Sequence, residues 1–175
     1  FLVSEPGGAG RYSFSHALVR ETLYEALDDA RRAHLHRVVG GVLEQQTRPV
    51  PDHLVAEIAL HFFHAVPAGN DNKKALTYAV RAAEHAASRF AYEDAISHYS
   101  RALAVMESRG ESSDKQCELL LALGEQQRKA GQVAAAKTTF RRVAEFARTL
   151  HGQGKKQQGT MFLARAALGF APGLA

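Results

Sequence analysis

Gly152-Gln153-Gly154-Lys155-Lys156 combines glycines and lysines in the manner of a loop that cradles phosphate. A working loop of that kind needs Gly, four residues, then Gly-Lys-Ser/Thr, set between a strand and a helix. Here Gln157 and Gln158 follow and no strand signal precedes, so the segment reads as a solvated loop between helices.

The histidines are the next candidates. His61 and His64 stand at i, i+3 on one helix face, with His53 two turns earlier. A structural or catalytic metal needs a fuller ligand set and a supporting second layer of hydrogen bonds. No Cys or carboxylate is spaced to complete one, so these read as partly exposed packing histidines, with no metal and no cofactor expected. His34 and His36 are two apart and face different sides of their helix. Cys117 is a lone thiol on an apolar helix and reads as a small buried residue. Ser15-His16 is not a nucleophile pair, because adjacent residues in a capping turn need not meet. The acid pairs Asp28-Asp29 and Glu93-Asp94 fall at helix starts, where capping accounts for them. Arg31-Arg32 and Arg141-Arg142 read as helix-surface pairs. No set of catalytic residues emerges, and the chain is not expected to be an enzyme.

The elements that carry these residues are almost all helical. Residues 1–14 read as a β-hairpin, with strands at Phe1-Leu2-Val3 and Arg11-Tyr12-Ser13-Phe14 around a Pro6–Gly10 turn cluster. Ser13 or Ser15 is expected to cap a helix running to about Leu27, with Leu18, Thr22, Leu23, Ala26 and Leu27 inward. Asp28-Asp29 starts a second helix whose inward residues are expected to be Leu35, Val38, Val39, Val42 and Leu43. Gly40-Gly41 inside it costs helix propensity, about 1 kcal/mol each, and points to close approach of a neighbouring backbone. Thr47–Pro51 breaks the pattern. Asp52 is expected to cap a helix over 53–66 with Leu54, Ile58, Phe62 and Ala65 inward. Further helices are predicted at 73–89, 92–108, 114–130, 132–150 and 157–170.

Self-similarity organises the second part. Leu120, Leu123-Gly124, Ala136, Phe140 and Val143 follow the tetratricopeptide pattern, in which small residues let paired helices approach and an aromatic fills the gap. Gln127 stands where that pattern has Tyr, Leu120 where it has Trp, and Arg148 where it has the closing Pro. An earlier copy shows in Ala79, Ala82, Ala83 and Ala86, then Ala95, Tyr99 and Ala102; a third opens at Leu168-Gly169. The offset from Ala95 to Ala136 is 41 residues. The predicted fold class is therefore all-α: tetratricopeptide-like antiparallel hairpins in a right-handed superhelical array, with a short N-terminal β-hairpin. Residues 1–48 form one unit and 49–175 the repeats, the last one truncated.

Composition agrees with a folded protein. Of 175 residues 46% are hydrophobic and 23% charged, which supports a core and argues against disorder. The net charge of +4 is spread along the chain, a weak argument for nucleic acid. One cysteine excludes an intrachain disulfide and fits a cytoplasmic setting. The most apolar stretch, Leu54 to Val66, is too short to cross a membrane and contains Glu57, His61 and His64. With no initiator Met and no signal-peptide pattern, the chain reads as a piece of something longer.

Two stretches carry a family resemblance. "RYSFSHALVRETLYEALDDARRAHLHRVVGGVLE" (Arg11 to Glu44) resembles the segment that follows the nucleotide-binding module in large bacterial signal-transduction ATPases. These are the LuxR-type large ATP-binding transcriptional regulators and their cyclase-fused relatives. "KALTYAVRAAEHAASRFAYEDAISHYSRALAVME" and "CELLLALGEQQRKAG" resemble their helical-repeat sensor. The resemblance implies the end of a winged-helix module followed by a sensor, in a parent that binds ATP. It does not make this chain an ATPase, since no Walker motif is present.

The function this implies is non-catalytic sensing of a small-molecule inducer or a protein partner in transcription regulation. First helices of repeat hairpins line the concave wall of such arrays. That register assigns ligand or partner contact to Thr77, Glu84, Ser88, Glu118, Glu125 and Arg128. The apolar residues of the last helix, among them Met161, Phe162 and Leu168, imply self-association. The competing reading is a DNA-binding winged-helix protein with a helical interaction domain. Its recognition helix would offer only Arg20 beside Glu21 and Glu25, so direct nucleic-acid contact is not expected.

Overall fold

The computed structural model describes residues 2–4, 12–68, 72–108 and 114–170. Eight α-helices follow one another along the described chain: α1 Ala17–Glu25, α2 Asp29–Gln46, α3 Asp52–Ala65, α4 Asn72–Ser88, α5 Tyr92–Glu107, α6 Asp114–Lys129, α7 Val133–Gly152 and α8 Lys156–Phe170. One turn of 3-10 helix, Val66–Ala68, extends α3. The fold is all-α apart from two three-residue strands, β1 Leu2–Ser4 and β2 Tyr12–Phe14, paired antiparallel with Leu2 opposite Phe14. The Pro6–Gly10 turn expected between them lies outside the described residues, as do 109–113 of the loop before α6.

From α2 onward each helix packs chiefly on the next in sequence, and α8 also reaches α6. Short connections make such neighbours antiparallel. Alanine dominates the contact faces of the middle hairpin: Ala79, Ala83 and Ala86 on α4 meet Ala95, Tyr99 and Ala102 on α5 in one buried cluster. That cluster continues through Leu120 and Leu123 of α6, Phe140 and Val143 of α7, and Phe162 and Ala166 of α8. A second cluster joins Val55, Ile58 and Phe62 of α3 to Ala75, Tyr78 and Ala82 of α4. There Phe62 stacks on Tyr78, ring centroids 5.6 Å apart. The Tyr78 hydroxyl and the Lys74 ammonium both donate to Glu44 of α2, at 3.1 and 2.7 Å.

The two central hairpins turn in the same way. At the end of α4 the Ala91 N–H donates to the Ala86 carbonyl at 3.0 Å; at the end of α6 the Gln132 N–H donates to the Gln127 carbonyl at 2.8 Å. Such six-to-one bonds close a helix through a left-handed residue. Gly131 takes that position after α6 with φ 75°, and Phe90 takes it after α4 with φ 62°. These pairs stand 41 residues apart, the offset between Ala95 and Ala136. The same offset takes buried Ala83 to Gly124 and buried Tyr99 to Phe140.

Several expectations for the first half are corrected. Most of the stripes expected to face inward on α1 and α2 face outward: Leu18, Leu23, Leu35, Val38, Val39 and Val42 are exposed, while Leu27 is half-buried and Leu43 packs against the α3–α4 cluster as expected. α1 buries no residue, and α2 buries Ala33 and Gly40 instead. The reason is geometric. α2 meets α3 along its narrow side of small residues, and α1 has no helix lying over its apolar face among the main packing pairs. Gly40 does lie against a neighbour, but a side chain rather than backbone: a Cβ there would be 3.1 Å from the His61 Cβ. Gly41 would meet nothing within 4 Å.

The capping assignments divide similarly. Asp28 caps α2, accepting from the Arg31 N–H at 2.7 Å. His16 precedes α1 without a side-chain cap, so neither Ser13 nor Ser15 holds that position. Pro51 precedes α3, which leaves Asp52 in its first turn, accepting from Arg81 at 3.1 Å. Glu93 and Asp94 sit in the first turn of α5 behind Ala91; their charge suits the helix dipole, but neither caps. On α3, Val55 and Ala59 share the buried face with Ile58, Phe62 and Ala65, while Leu54 is half-buried.

Candidate functional site

The residues with chemistry to offer gather where α1 and α2 meet α3 and α5. Packing of α2 on α3 brings His36 beside His61, with Nδ1 to Nδ1 at 2.9 Å. His36 also lies against His64, centroids 4.8 Å apart and planes tilted by 32°. On its far side the His36 Nε2 meets the Tyr24 hydroxyl of α1 at 2.8 Å. Arg32 sits one turn before His36, its guanidinium 5.3 Å from the centre of the Tyr24 ring and paired with Asp29.

Two nitrogens 2.9 Å apart share one proton, since one must donate and the other accept. At least one of the two imidazoles is therefore neutral. Burial holds His36 down to about 4, reinforced by His64, His61 and Arg32. Burial also lowers His64, reinforced by Arg101, His61 and Arg32. His61 is lowered by burial as well, against a small opposing pull from Glu57. Among the described residues no group of three or more His, Cys, Asp or Glu is arranged to hold a metal ion.

Beside this cluster lies a hollow of about 590 Å³. Tyr24, Arg32 and Ala33 form one wall, and Phe63, His64 and Val66 another. Ala104, Val105 and Ser108 of α5 complete the lining. Its size falls within the range of small-molecule sites, and its lining is mostly apolar with few polar groups. Arg101 stands over the Phe63 ring at 5.8 Å.

The six residues expected to make contacts fall on two helices. Thr77, Glu84 and Ser88 lie on the exposed side of α4. Glu118 and Arg128 are exposed on α6, with Glu125 half-buried between them. Of the six, Glu125 and Arg128 are joined, by two bonds of 3.0 and 2.8 Å. Thr77 and Ser88 donate to the backbone carbonyls of Lys73 and His85. Thr77 also borders a shallow hollow of about 370 Å³ with Glu44, Lys74, Tyr78 and Arg81.

The other singled-out groups are structural. Cys117 is fully buried, and burial pushes its thiol up to about 11, helped by Asp114 and Glu118. A thiol held that high supplies little thiolate for nucleophilic attack. Gly152–Lys156 is the turn from α7 to α8: Gly154 has φ 85° and Lys155 pairs with Asp114 at 3.2 Å. Gln127, which departs from the repeat pattern, is buried and accepts a 2.7 Å bond from Thr139. Arg142 pairs with Glu107. Among the described residues no helix is long and apolar enough to cross a membrane.

Sequence reasoning missed Tyr24, Arg32 and His36 as site residues. A usable signal was present: His36 and His61 lie about equally far from the Thr47–Pro51 break, so folding the chain there sets them side by side. No family model matches the chain, and no curated protein or solved structure matches it either.

Proposed function

We propose that this chain is a non-catalytic, ligand- or partner-sensing helical-repeat segment of a bacterial signal-transduction ATPase that regulates transcription. In this reading residues 49–175, α3 to α8, are tetratricopeptide-like hairpins in a right-handed superhelix, the last one incomplete. The N-terminal strands, as a hairpin, with α1 and α2 are the end of a winged-helix-like module.

The observation that carries the reading is the common 41-residue offset that relates the two middle hairpins in packing residues and in turn geometry. A repeat array presents long faces for binding rather than one convergent set of catalytic groups. The exposed apolar stripes of α1 and α2 suit a module that packs against further protein. The concave-face assignment keeps Thr77, Glu84, Ser88, Glu118, Glu125 and Arg128 as contact residues for a protein partner or inducer. The setting proposed is cytoplasmic.

The test is a thermal-shift and turnover screen against sugars, organic acids, nucleotides including magnesium-ATP, model esters and duplex DNA. Stabilisation by a small molecule without turnover is the expected result, with ATP inert. Turnover of ATP or an ester would replace the reading with an enzyme. A salt-dependent gel shift would favour a DNA-binding winged-helix protein instead.

A further inference from the structure

We propose that the hollow between α1, α2, α3 and α5 binds a small organic carboxylate with a flat apolar body, its charge held by Arg32 and His64. This rests on the sensing reading and adds to its α4 and α6 contact residues a separate small-molecule site with a stated ligand class.

The shape argument comes first. The hollow holds about 590 Å³, room for a ligand of one or two fused rings. Phe63, Val66, Ala104 and Val105 offer apolar surface to such a body, and the Tyr24 ring offers an edge or face.

The charge argument follows. Arg32 lines the hollow directly, and Arg101 stands behind its Phe63 wall. His64 lines it too, with His36 and His61 behind. Against these cationic and ionisable bases stand Asp29, at the hollow, and Glu57, beside His61. Asp29 holds Arg32 through an ion pair whose carboxylate is 89% exposed. Exposed pairs of that kind contribute little, so a ligand carboxylate in a drier position displaces Asp29 easily. A guanidinium then binds it in a bidentate fork.

The arrangement also supplies a signal. α1 buries no residue of its own and is tied to α2 through Tyr24, by the His36 bond and the Arg32 stack. A ligand seated against Tyr24 clamps α1 to the helical ladder. Its negative charge favours protonation of His64 and His36, both held neutral by burial and nearby cations. Binding and proton uptake are then linked.

The experiment titrates the full chain with naphthalene-2-acetate and with its neutral amide, by calorimetry at pH 6.5 in buffers of different ionisation enthalpy. The acid is expected to bind at least about tenfold more tightly than the amide, the scale of one charge-assisted hydrogen bond. It should also take up a fraction of a proton. Arg32→Gln should remove the preference for the acid. Ala104→Trp, at an exposed position on the rim, should block both compounds while leaving the helical spectrum unchanged. Equal binding of acid and amide, an unaltered preference in Arg32→Gln, or no binding of the acid at millimolar concentration overturns the assignment. Turnover or DNA retardation in the wider screen removes the sensing reading whatever the naphthalene compounds do, so the two failures are told apart.

Discussion

Gly124 on α6 and Phe140 on α7 are in such close contact that a Cβ at position 124 would lie 2.7 Å from the aromatic ring. The same ring also meets α8, where a Cβ on Gly169 would lie 2.5 Å from it. One aromatic residue is thus seated against two glycines from two different helices. Both glycines follow a leucine, as Leu123-Gly124 and Leu168-Gly169.

Gly124→Ala should destabilise the chain, although Ala is the better helix former by about 1 kcal/mol. The ring is 2% exposed and has no room to retreat, and overpacking costs about 1–3 kcal/mol. Gly41→Ala is the control: nothing lies within 4 Å, so propensity alone should act and stabilise by about 0.5–1 kcal/mol. Denaturant melts of the two variants check this. A Gly124→Ala midpoint equal to or above that of the native chain would mean the ring yields freely.

Phe90 invites the opposite change. It holds a left-handed backbone at φ 62° while its side chain is 76% exposed. The equivalent turn after α6 has Gly131 at φ 75°. Left-handed geometry costs a residue with a Cβ about 1–2 kcal/mol. Part of that is offset because glycine has more entropy to lose on folding. Phe90→Gly is therefore expected to raise stability by about 0.5–1 kcal/mol, the difference of those two terms. A lower melting temperature would show that the Phe90 contact with Tyr92, ring centroids 6.3 Å apart, outweighs the strain.

Sequence pattern located the elements from α3 to α8 within one or two residues, because apolar periodicity and loop residues coincide there. The same pattern misplaced the faces of α1 and α2. Leu35, Val38, Val39 and Val42 form a sound helical stripe, but periodicity says only that a stripe exists, not that a partner covers it. The site was less legible still. The spacing of His34 and His36 says only that they face different sides of one helix, whereas the partners of His36 are His61, 25 residues away, and Tyr24 on a third element. Such contacts depend on how helices dock, which local spacing does not encode.

The histidine cluster should make stability depend on pH in a defined window. Native His36 is held at about 4, against an ordinary value of 6.5, with burial the leading cause. Between those values the unfolded chain binds more protons than the folded one, so stability rises with pH. The contribution is complete above about pH 6.5 and is lost as pH falls toward 4. His61, His64 and the buried His98 of α5 are all lowered by burial and act with the same sign. His36→Gln should flatten the dependence of the urea midpoint on pH without abolishing it. An unchanged slope between pH 6.5 and 4 would assign the acid sensitivity to other groups.

The last prediction concerns the two faces of α8. Phe162 and Ala166 are each 1% exposed, and a Cβ on Gly159 would lie 2.7 Å from the Ala147 carbonyl, so this face is closely docked on α7. The opposite face leaves Met161 46% and Leu168 74% exposed. Removing residues 156–175 should destabilise the remainder, since burying a side chain such as Phe162 is worth about 1.5–3 kcal/mol and its partners Val143 and Leu150 lose cover. The exposed face is expected to act differently, by drawing two copies of the chain together. Met161→Gln with Leu168→Gln should yield a monomer in light scattering with the native melting temperature at low concentration, because neither side chain supports the monomer core. The unaltered chain should show a concentration-dependent rise in mass. A monomer for the unaltered chain at every concentration would restrict the role of α8 to covering α7, and would remove self-association from the account of this protein.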